Sequence, residues 1–458
     1  MALRATILIL FSVLIINNTA AGSPPGSATD QHPGTSPDRQ SATGTLRSWL
    51  GNLDTRFGGR FKTTGSVSWP DADSIFEPVG TGTYYDGSVD LRVTKETFFS
   101  YQLFLETHYE AILVGGDTRR KLTDLESIFP SLSDNLRLGA RLDDDRRLMD
   151  LTDTLRDRDC YRLLHRLDRL NLGIATNWGS LRVGRQAITW GNGLIFNPMD
   201  LFNPFAPTEV DRDYKAGDDL ISTQIYLPRS SELQLLYVIR RNPETHDVSA
   251  NESSFAAKWH LSGGTTEYDI MAARHYEDYV LGIGSRGYLA DTAWRIDATW
   301  TDLTDPDADS PDGYLSLVAN MDYSWVWWEK NFYGLVEFYF NGLGEGDYED
   351  AFGNKDIGEL QARGELFVLG RYYASATVQV ELHPLLQVYF TAINNLKDPS
   401  GVLQPRTTWD MGQNLQMTLG ANMYYGAPDT EFGGILIPGT TIRTRPVDSL
   451  YLWLTYYF

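Results

Sequence analysis

The sequence predicts an all-β protein: a transmembrane antiparallel β-barrel of about 18 strands, with 16 as the alternative count. Three observations predict it. Segments of roughly 10–15 residues, the length of a tilted membrane strand, alternate apolar and polar positions along nearly the whole chain. The connections between them alternate short and long. Composition agrees: the 458 residues hold 25 Tyr and 12 Trp at a slightly polar mean hydropathy of −0.30. Such a balance suits strands with one face in lipid and one in water, bordered by aromatic girdles.

Residues 1–21 read as a secretory signal, with Arg4 as the positive region, Ile7 to Ile16 as the apolar run and Thr19-Ala20-Ala21 as the cleavage site. The apolar run is about half the ~20 residues a spanning helix needs. Residues 22–55, rich in Pro, Gly, Ser and Thr, read as a disordered periplasmic extension. Within it Leu46, Trp49, Leu50 and Leu53 allow one amphipathic turn, too little for a plug domain. Residues 56–458 form the barrel, and no other stretch approaches ~18 consecutive apolar residues.

The expected strands lie near 56–68, 83–95, 98–113, 166–178, 180–190, 219–228, 231–241, 253–262, 265–275, 280–289, 292–302, 313–326, 330–341, 371–381, 384–395, 401–411, 413–425 and 449–458. Short turns fall at Glu96-Thr97, Gly179, Arg229-Ser230, Gly263-Gly264, Ala290-Asp291, Glu329, His383 and Gly412, with longer loops between them. In 330–341, Phe332, Gly334, Val336, Phe338 and Phe340 oppose Tyr333, Leu335, Glu337 and Tyr339. In the last strand Leu450, Leu452, Leu454, Tyr456 and Phe458 share one face, and Ser449, Tyr451, Trp453, Thr455 and Tyr457 the other. In hydrocarbon a sheet satisfies its backbone only by closing on itself, and about 18 strands enclose more space than wall side chains fill.

One segment breaks the alternation. After Gly191 the chain loses its period until residue 218, and carries Pro198, Pro204 and Pro207 with Leu194, Ile195, Phe196, Leu201, Phe202 and Phe205. So long and apolar a loop is expected to fold onto the inner wall as a constriction. Its charges are Asp200, Glu209, Asp211, Asp213, Asp218 and Asp219 against Arg212 and Lys215. Arg182, Gln186, Arg240, Arg274 and Arg295 are expected to line the lumen opposite, giving a local field that sorts solutes by charge. Arg185 falls among Leu181 and Val183 on the apolar face unless a bulge lets it snorkel.

The longest loop, 114–165, has Leu148, Leu151 and Leu155 at the spacing of a short helix that caps the pore or reaches outward. Asp302, Asp305, Asp307, Asp309 and Asp312, and a second acidic group at Glu345, Asp347, Glu349, Asp350, Asp356 and Glu359, lack EF-hand spacing and read as solvated surface charge. The net charge of −21 excludes nucleic acid as a natural partner. Cys160 stands alone, so no internal disulfide, thiolate metal site or CxxCH haem site is expected. Seven scattered histidines and the lack of a Gly-x-Ser-x-Gly elbow give no sign of an enzyme, a metal or a cofactor.

The run Leu450, Leu452, Leu454, Tyr456 and Phe458 resembles the C-terminal assembly signal of Gram-negative outer-membrane barrels. That resemblance implies recognition by the barrel-assembly machinery and residence in the cell outer membrane, against lipid and lipopolysaccharide. The stretch Leu181 to Gly191, with Gly184-Arg185-Gln186 and Trp190-Gly191, followed by Asn197-Pro198-Met199-Asp200 and Asn203-Pro204-Phe205, is similar to porin-like outer-membrane proteins with a "GRQ…WG…NP.D" segment. It implies a channel for small hydrophilic solutes. The alternative is a dedicated conduit or exporter, for a polymer or a partner electron carrier, whose marker is a lumen of one charge sign.

Overall fold

A computed structural model describes residues 54–458 except 129–142, 211–213, 309, 349–350, 352–353 and 438–440. The expected signal peptide and nearly all of the expected N-terminal extension therefore lie outside the described residues. So do Asp211, Arg212 and Asp213 of the expected constriction.

Among the described residues nineteen strands follow in order: β1 (Asp54–Trp69), β2 (Tyr84–Phe98), β3 (Leu103–Gly116), β4 (Thr152–Arg158), β5 (Tyr161–Thr176), β6 (Gly179–Gln186), β7 (Asp218–Leu227), β8 (Ser231–Val238), β9 (Ser254–Gly263) and β10 (Thr266–His275). They continue with β11 (Asp278–Leu289), β12 (Thr292–Asp302), β13 (Gly313–Trp327), β14 (Lys330–Asn341), β15 (Tyr372–His383), β16 (Leu386–Asn395), β17 (Ser400–Asp410), β18 (Leu415–Tyr425) and β19 (Asp448–Tyr457). Among the described residues two α-helices lie in connections, α1 (Asp117–Ile128) and α2 (Lys355–Arg363).

Each strand pairs antiparallel with its neighbours, and β1 pairs with both β2 and β19, so the sheet closes. Since β3 pairs directly with β5, the closed wall holds 18 strands and β4 stands outside that cycle. All eighteen expected strands are present, and the count of 16 is set aside.

The outer surface carries a belt of exposed aliphatics such as Leu172, Val183, Ile221, Ile283, Val336 and Leu452. Exposed aromatics border it, Trp178, Tyr226, Trp259 and Trp327 near the short-turn end, and Trp69, Tyr85, Phe255 and Trp300 near the other. An apolar surface of this extent fits lipid and not water. Both ends of the barrel sequence, Asp54 and Phe458, lie at the short-turn end. There Arg229-Ser230 (φ 63° and 55°) and Trp328-Glu329 (φ 49° and 58°) take two consecutive left-handed residues, the geometry that matches hairpin twist.

Three details differ from expectation. Two connections at the loop end are tight, residues 276–277 and 396–399, so the length asymmetry is not uniform. The helix of the 114–165 loop is α1, ahead of Leu148, whereas Leu155 belongs to β4. And the part of that region described beyond residue 142 completes the wall. β6 stops at Gln186 where the chain turns inward, and β4 pairs with Tyr161–Arg166 of β5. The stretch before β4 bridges onward, through Arg147 and Arg240, to the end of β8.

Arg185 explains how the patch holds. It does not snorkel; it is 1% exposed, donating to Asp219, to Asp144 (2.8 Å) and to the Met149 carbonyl (2.6 Å). A guanidinium on the apolar side of a strand is satisfied here because residues 144–151 supply its partners.

Candidate functional site

Between Gln186 and Asp218 the chain leaves the wall and crosses the lumen. Its apolar residues, which would otherwise face water, take up two inward-facing apolar patches of the wall. Trp190, Met199 and Phe202 pack with Leu236 and Val238 of β8, Ala256 of β9, Met271 of β10 and Val280 of β11. Ile195 and Phe196 pack with Leu335 and Tyr339 of β14, Tyr373 of β15, Ile393 of β16 and Val402 of β17. The Phe196 and Tyr339 rings stack at 4.4 Å and 7°.

Polar anchors fix the register. The Glu337 carboxylate of β14, 3% exposed, accepts the backbone N–H groups of Leu194 (2.9 Å), Ile195 (3.1 Å) and Phe196 (2.7 Å), and the Asn320 amide (3.1 Å). Three consecutive N–H groups converging on one carboxylate require a tight backbone turn. Gly193 permits it, since a Cβ there would sit 1.8 Å from the Phe196 carbonyl oxygen. One strand pair away, Asp297 of β12 accepts the backbone and side-chain amides of Asn192.

The loop then turns back. Lys215 donates to Asp200 (2.5 Å) and to the Ile188 carbonyl, tying the outgoing and returning arms together. Burial pushes the Asp200 carboxyl up, and the Lys215 ammonium opposes that shift. Farther along, Gln404 of β17 donates to the Thr208 carbonyl (2.8 Å) and Arg406 to that of Val210 (3.4 Å). Tyr214 lies 3.9 Å from the Arg92 guanidinium of β2 and 4.6 Å from Arg60 of β1. The loop thus touches the wall on opposite sides of the barrel.

Two outer connections close over it. At the start of α2, Asn354 caps the helix by accepting the Ile357 N–H (3.1 Å), Asp307 accepts the Lys355 N–H (2.8 Å) and Asp356 accepts that of Asp307 (2.9 Å), so these acids bind backbone; no metal-holding cluster occurs among the described residues. Glu365, after α2, contacts His275 at 2.9 Å. Burial pushes its carboxyl up, but His275, Arg363 and Arg240 outweigh it and hold the group below the usual carboxylate range. Glu431, in the connection from β18 to β19, accepts from Tyr373 (2.5 Å), Leu369 (2.6 Å) and Asn395 (2.7 Å).

The expected lining residues divide. Arg182 faces the lumen beside Glu106 (3.7 Å), and Arg295 pairs with Asp322. Gln186 is buried at the joint where the loop leaves the wall, bonded to Leu220 and Ser222. Arg240 does not line a pore: it is buried against Asp218 (2.9 Å). Arg274 shares the outward face of β10 with Tyr268 and Ile270 and donates to the Ala250 carbonyl at the rim. Of the loop acids, Asp200, Asp218 and Asp219 are spent on Lys215, Arg240 and Arg185, while Glu209 accepts the Ala206 N–H (3.2 Å).

In the terminal strand Leu450, Leu452, Tyr456 and Phe458 are exposed, Leu454 is half-buried, and Tyr451 and Thr455 are buried on the other face. The residues that sequence reasoning missed are the anchors Glu337, Asp297, Asn192 and Lys215, and the cations Arg60, Lys62, Arg92 and Arg406 beside the returning arm. All four cations stand on strand positions, and Glu337 is the one charge on the inner face of 330–341. That isolation was the available signal.

Below the loop, toward the short turns, two polar cavities remain. One of ≈ 390 Å³ is lined by Glu232, Lys258, His260, Asp269 and Arg286 under Gly191 and Asn192. The other, ≈ 250 Å³, lies between Val210 and strands β1 and β16–β19.

The class defined by these features is a closed membrane β-barrel with a polar lumen crossed by an inward-folded loop. No protein-family model matches the chain, and no curated protein matches it in sequence. Among solved structures it is similar to OccAB1 of Acinetobacter baumannii, at 8% identity and a TM-score of 0.49 over 88% of this chain and 96% of that one. It is also similar to OccK5 (OpdH) of Pseudomonas aeruginosa, at 7% and 0.48 over 88% and 98%. A BenF-like porin from Pseudomonas fluorescens Pf-5 gives 8% and 0.48 over the same shares. The barrel assignment rests on the chain's own strand pairing.

Proposed function

We propose that this protein is an outer-membrane channel for small hydrophilic solutes, narrowed by the loop between Gln186 and Asp218. The observation that carries the reading is the way this loop crosses an otherwise wide, closed lumen while polar cavities persist beneath it. An 18-strand wall without such a loop leaves an open aqueous bore. A loop locked to both sides turns the bore into a passage with a defined narrow point.

The hold on the loop is uneven, and that locates the passage. Along β8–β17 the outgoing arm is cemented by apolar packing and by the Glu337 and Asp297 anchors. Along β1 and β2, and at Gln404 and Arg406 of β17, the described residues of the returning arm meet the wall through the Thr208 and Val210 carbonyls and the Tyr214 ring. Solutes pass on that second side. There the returning arm runs beside Arg60, Lys62, Arg92 and Arg406 of the wall, and we assign the charge preference to their balance with the acids the sequence carries at Glu209, Asp211 and Asp213. The exposed aromatic-ended strand β19 is the element we assign to recognition by the assembly machinery.

Purified protein in planar lipid bilayers tests the reading. Discrete conductance steps are expected, and deletion of 194–215 raises them. A wild type and a deletion variant that are both silent overturn the channel assignment.

A further inference from the structure

The lower lumen is not uniform. On the inner face of β5–β13 charges dominate: Asp168, Arg182, Glu232, Lys258, Asp269, Arg286, Arg295 and Asp322. On β16–β19 the inner positions are mostly amides and hydroxyls. Gln387, Tyr389, Thr408, Gln416, Thr418 and Thr455 surround the ≈ 250 Å³ cavity beside Val210. They come from four adjacent strands at one level, because the register sets Gln387 against Thr408, Thr408 against Thr418 and Gln416 against Thr455.

The three charges at this cavity are already engaged. Arg406 lies over the Tyr389 ring at 4.4 Å and donates to Val210. Lys62 is buried against the Trp453 ring at 4.2 Å, and Asp410 accepts from Gln416 at 2.9 Å. The amides are held in fixed poses: Gln379 donates to Gln387 at 3.1 Å, and the Tyr389 hydroxyl donates to the same oxygen. The Gln387 oxygen already accepts twice, so that amide offers its N–H donors, whereas Gln416, donating once to Asp410, offers its second N–H and its oxygen.

We propose that this cavity is a subsite for neutral polyhydroxylated solutes of the saccharide type, a reading that rests on the channel function proposed above. A vicinal diol presents donors and acceptors in pairs, and an amide–hydroxyl array meets both without paying for the desolvation of a charge. Held side chains lose little entropy on contact. Uncharged hydrogen bonds are also weak enough to release the solute onward, as conduction requires.

The test uses the detergent-solubilised full barrel with maltotriose as the probe, read by saturation-transfer-difference NMR. Binding is expected in the wild type. In the Gln387→Leu, Gln416→Leu double variant it should weaken about tenfold, the equivalent of one or two lost hydrogen bonds. Thr418→Val, a smaller change, should weaken it in the same direction, and heat-modifiable gel mobility confirms that each variant is folded. Absence of maltotriose binding to the wild type overturns the subsite. So does glucuronate binding that exceeds maltotriose binding and ignores the glutamine changes, because Arg406 and Lys62 would then carry the site. A barrel that binds maltotriose but passes no current in bilayers sinks the channel reading and leaves the subsite standing.

Discussion

Phe458 and Gly59 exchange two backbone hydrogen bonds, Gly59 N–H to the Phe458 carbonyl at 2.9 Å and Phe458 N–H to the Gly59 carbonyl at 3.0 Å. The same pair packs ring on backbone. A Cβ at Gly59 would lie 2.6 Å from Phe458 Cζ and 2.3 Å from the Arg92 carbonyl oxygen. The seam between first and last strand is therefore set by an aromatic seated on a glycine, which fixes register where a slip of one residue would turn every side chain to the wrong medium.

Gly59→Val should accordingly lower the yield of folded, heat-modifiable barrel, since the Phe458 ring can turn aside but the Arg92 carbonyl of β2 is backbone and cannot withdraw. Gly65→Ala on the same strand is the control: nothing lies within 4 Å of its Cβ position, so yield should stay near wild type. Equal losses from both would mean that the seam tolerates or rejects side chains for reasons other than this contact.

Changing Phe458 to Asp should reduce inserted barrel far more than changing Tyr457 to Asp. Phe458 is exposed on the face it shares with Tyr456, where a carboxylate meets lipid. Tyr457 is paired in register with Arg60, whose side chain is buried on the opposite face. Outer-membrane fractions quantified by immunoblot compare the two, and parity between them would reverse the assigned facing.

Glu337→Leu should loosen the loop without opening the wall. Three backbone N–H groups and the Asn320 amide lose their shared acceptor, at about 1–3 kcal/mol for each donor left unmet. Single-channel records should show larger conductance with more open-level noise. Glu337→Gln, whose amide oxygen still accepts, should fall between. A leucine variant indistinguishable from wild type would show that apolar packing alone retains the loop.

How much of this was legible depends on the range of each cause. Strand positions follow from alternation, a signal carried within ten residues, and the 18-strand wall was readable from it. So was a loop whose Leu194–Phe196 run had to leave solvent. What the loop would grip was not: Glu337 and Phe196 are 141 positions apart, and local pattern says nothing about such a pair. β4 was missed because Thr152–Arg158 is short and heavily charged, and becomes a strand only because β6 ends early and leaves an edge on β5 unpaired. Arg274 was misplaced for the opposite reason: at the rim an outward arginine bonds the Ala250 carbonyl and escapes the apolar rule that holds deeper in the belt.

Charge preference gives the last prediction. The sequence suggested an acidic constriction, but three of its acids are neutralised by Lys215, Arg185 and Arg240, so they add little to the field at the passage. What remains on the loop side is Glu209 with Asp211 and Asp213, the last two outside the described residues, while the wall beside the returning arm carries Arg60, Arg92 and Arg406. Arg60 is paired with Asp90 and Arg92 with Glu110 and Asp168, so neutralising Glu209, Asp211 and Asp213 together shifts the local balance chiefly toward Arg406. The reversal potential under a salt gradient should then move toward that of an anion-selective pore, and most at low ionic strength, where the Debye length grows to ~30 Å at 0.01 M. Arg406→Gln should move it the other way. If the triple variant shifts nothing at low salt, these acids do not face the solute path, and the passage must run elsewhere in the lumen.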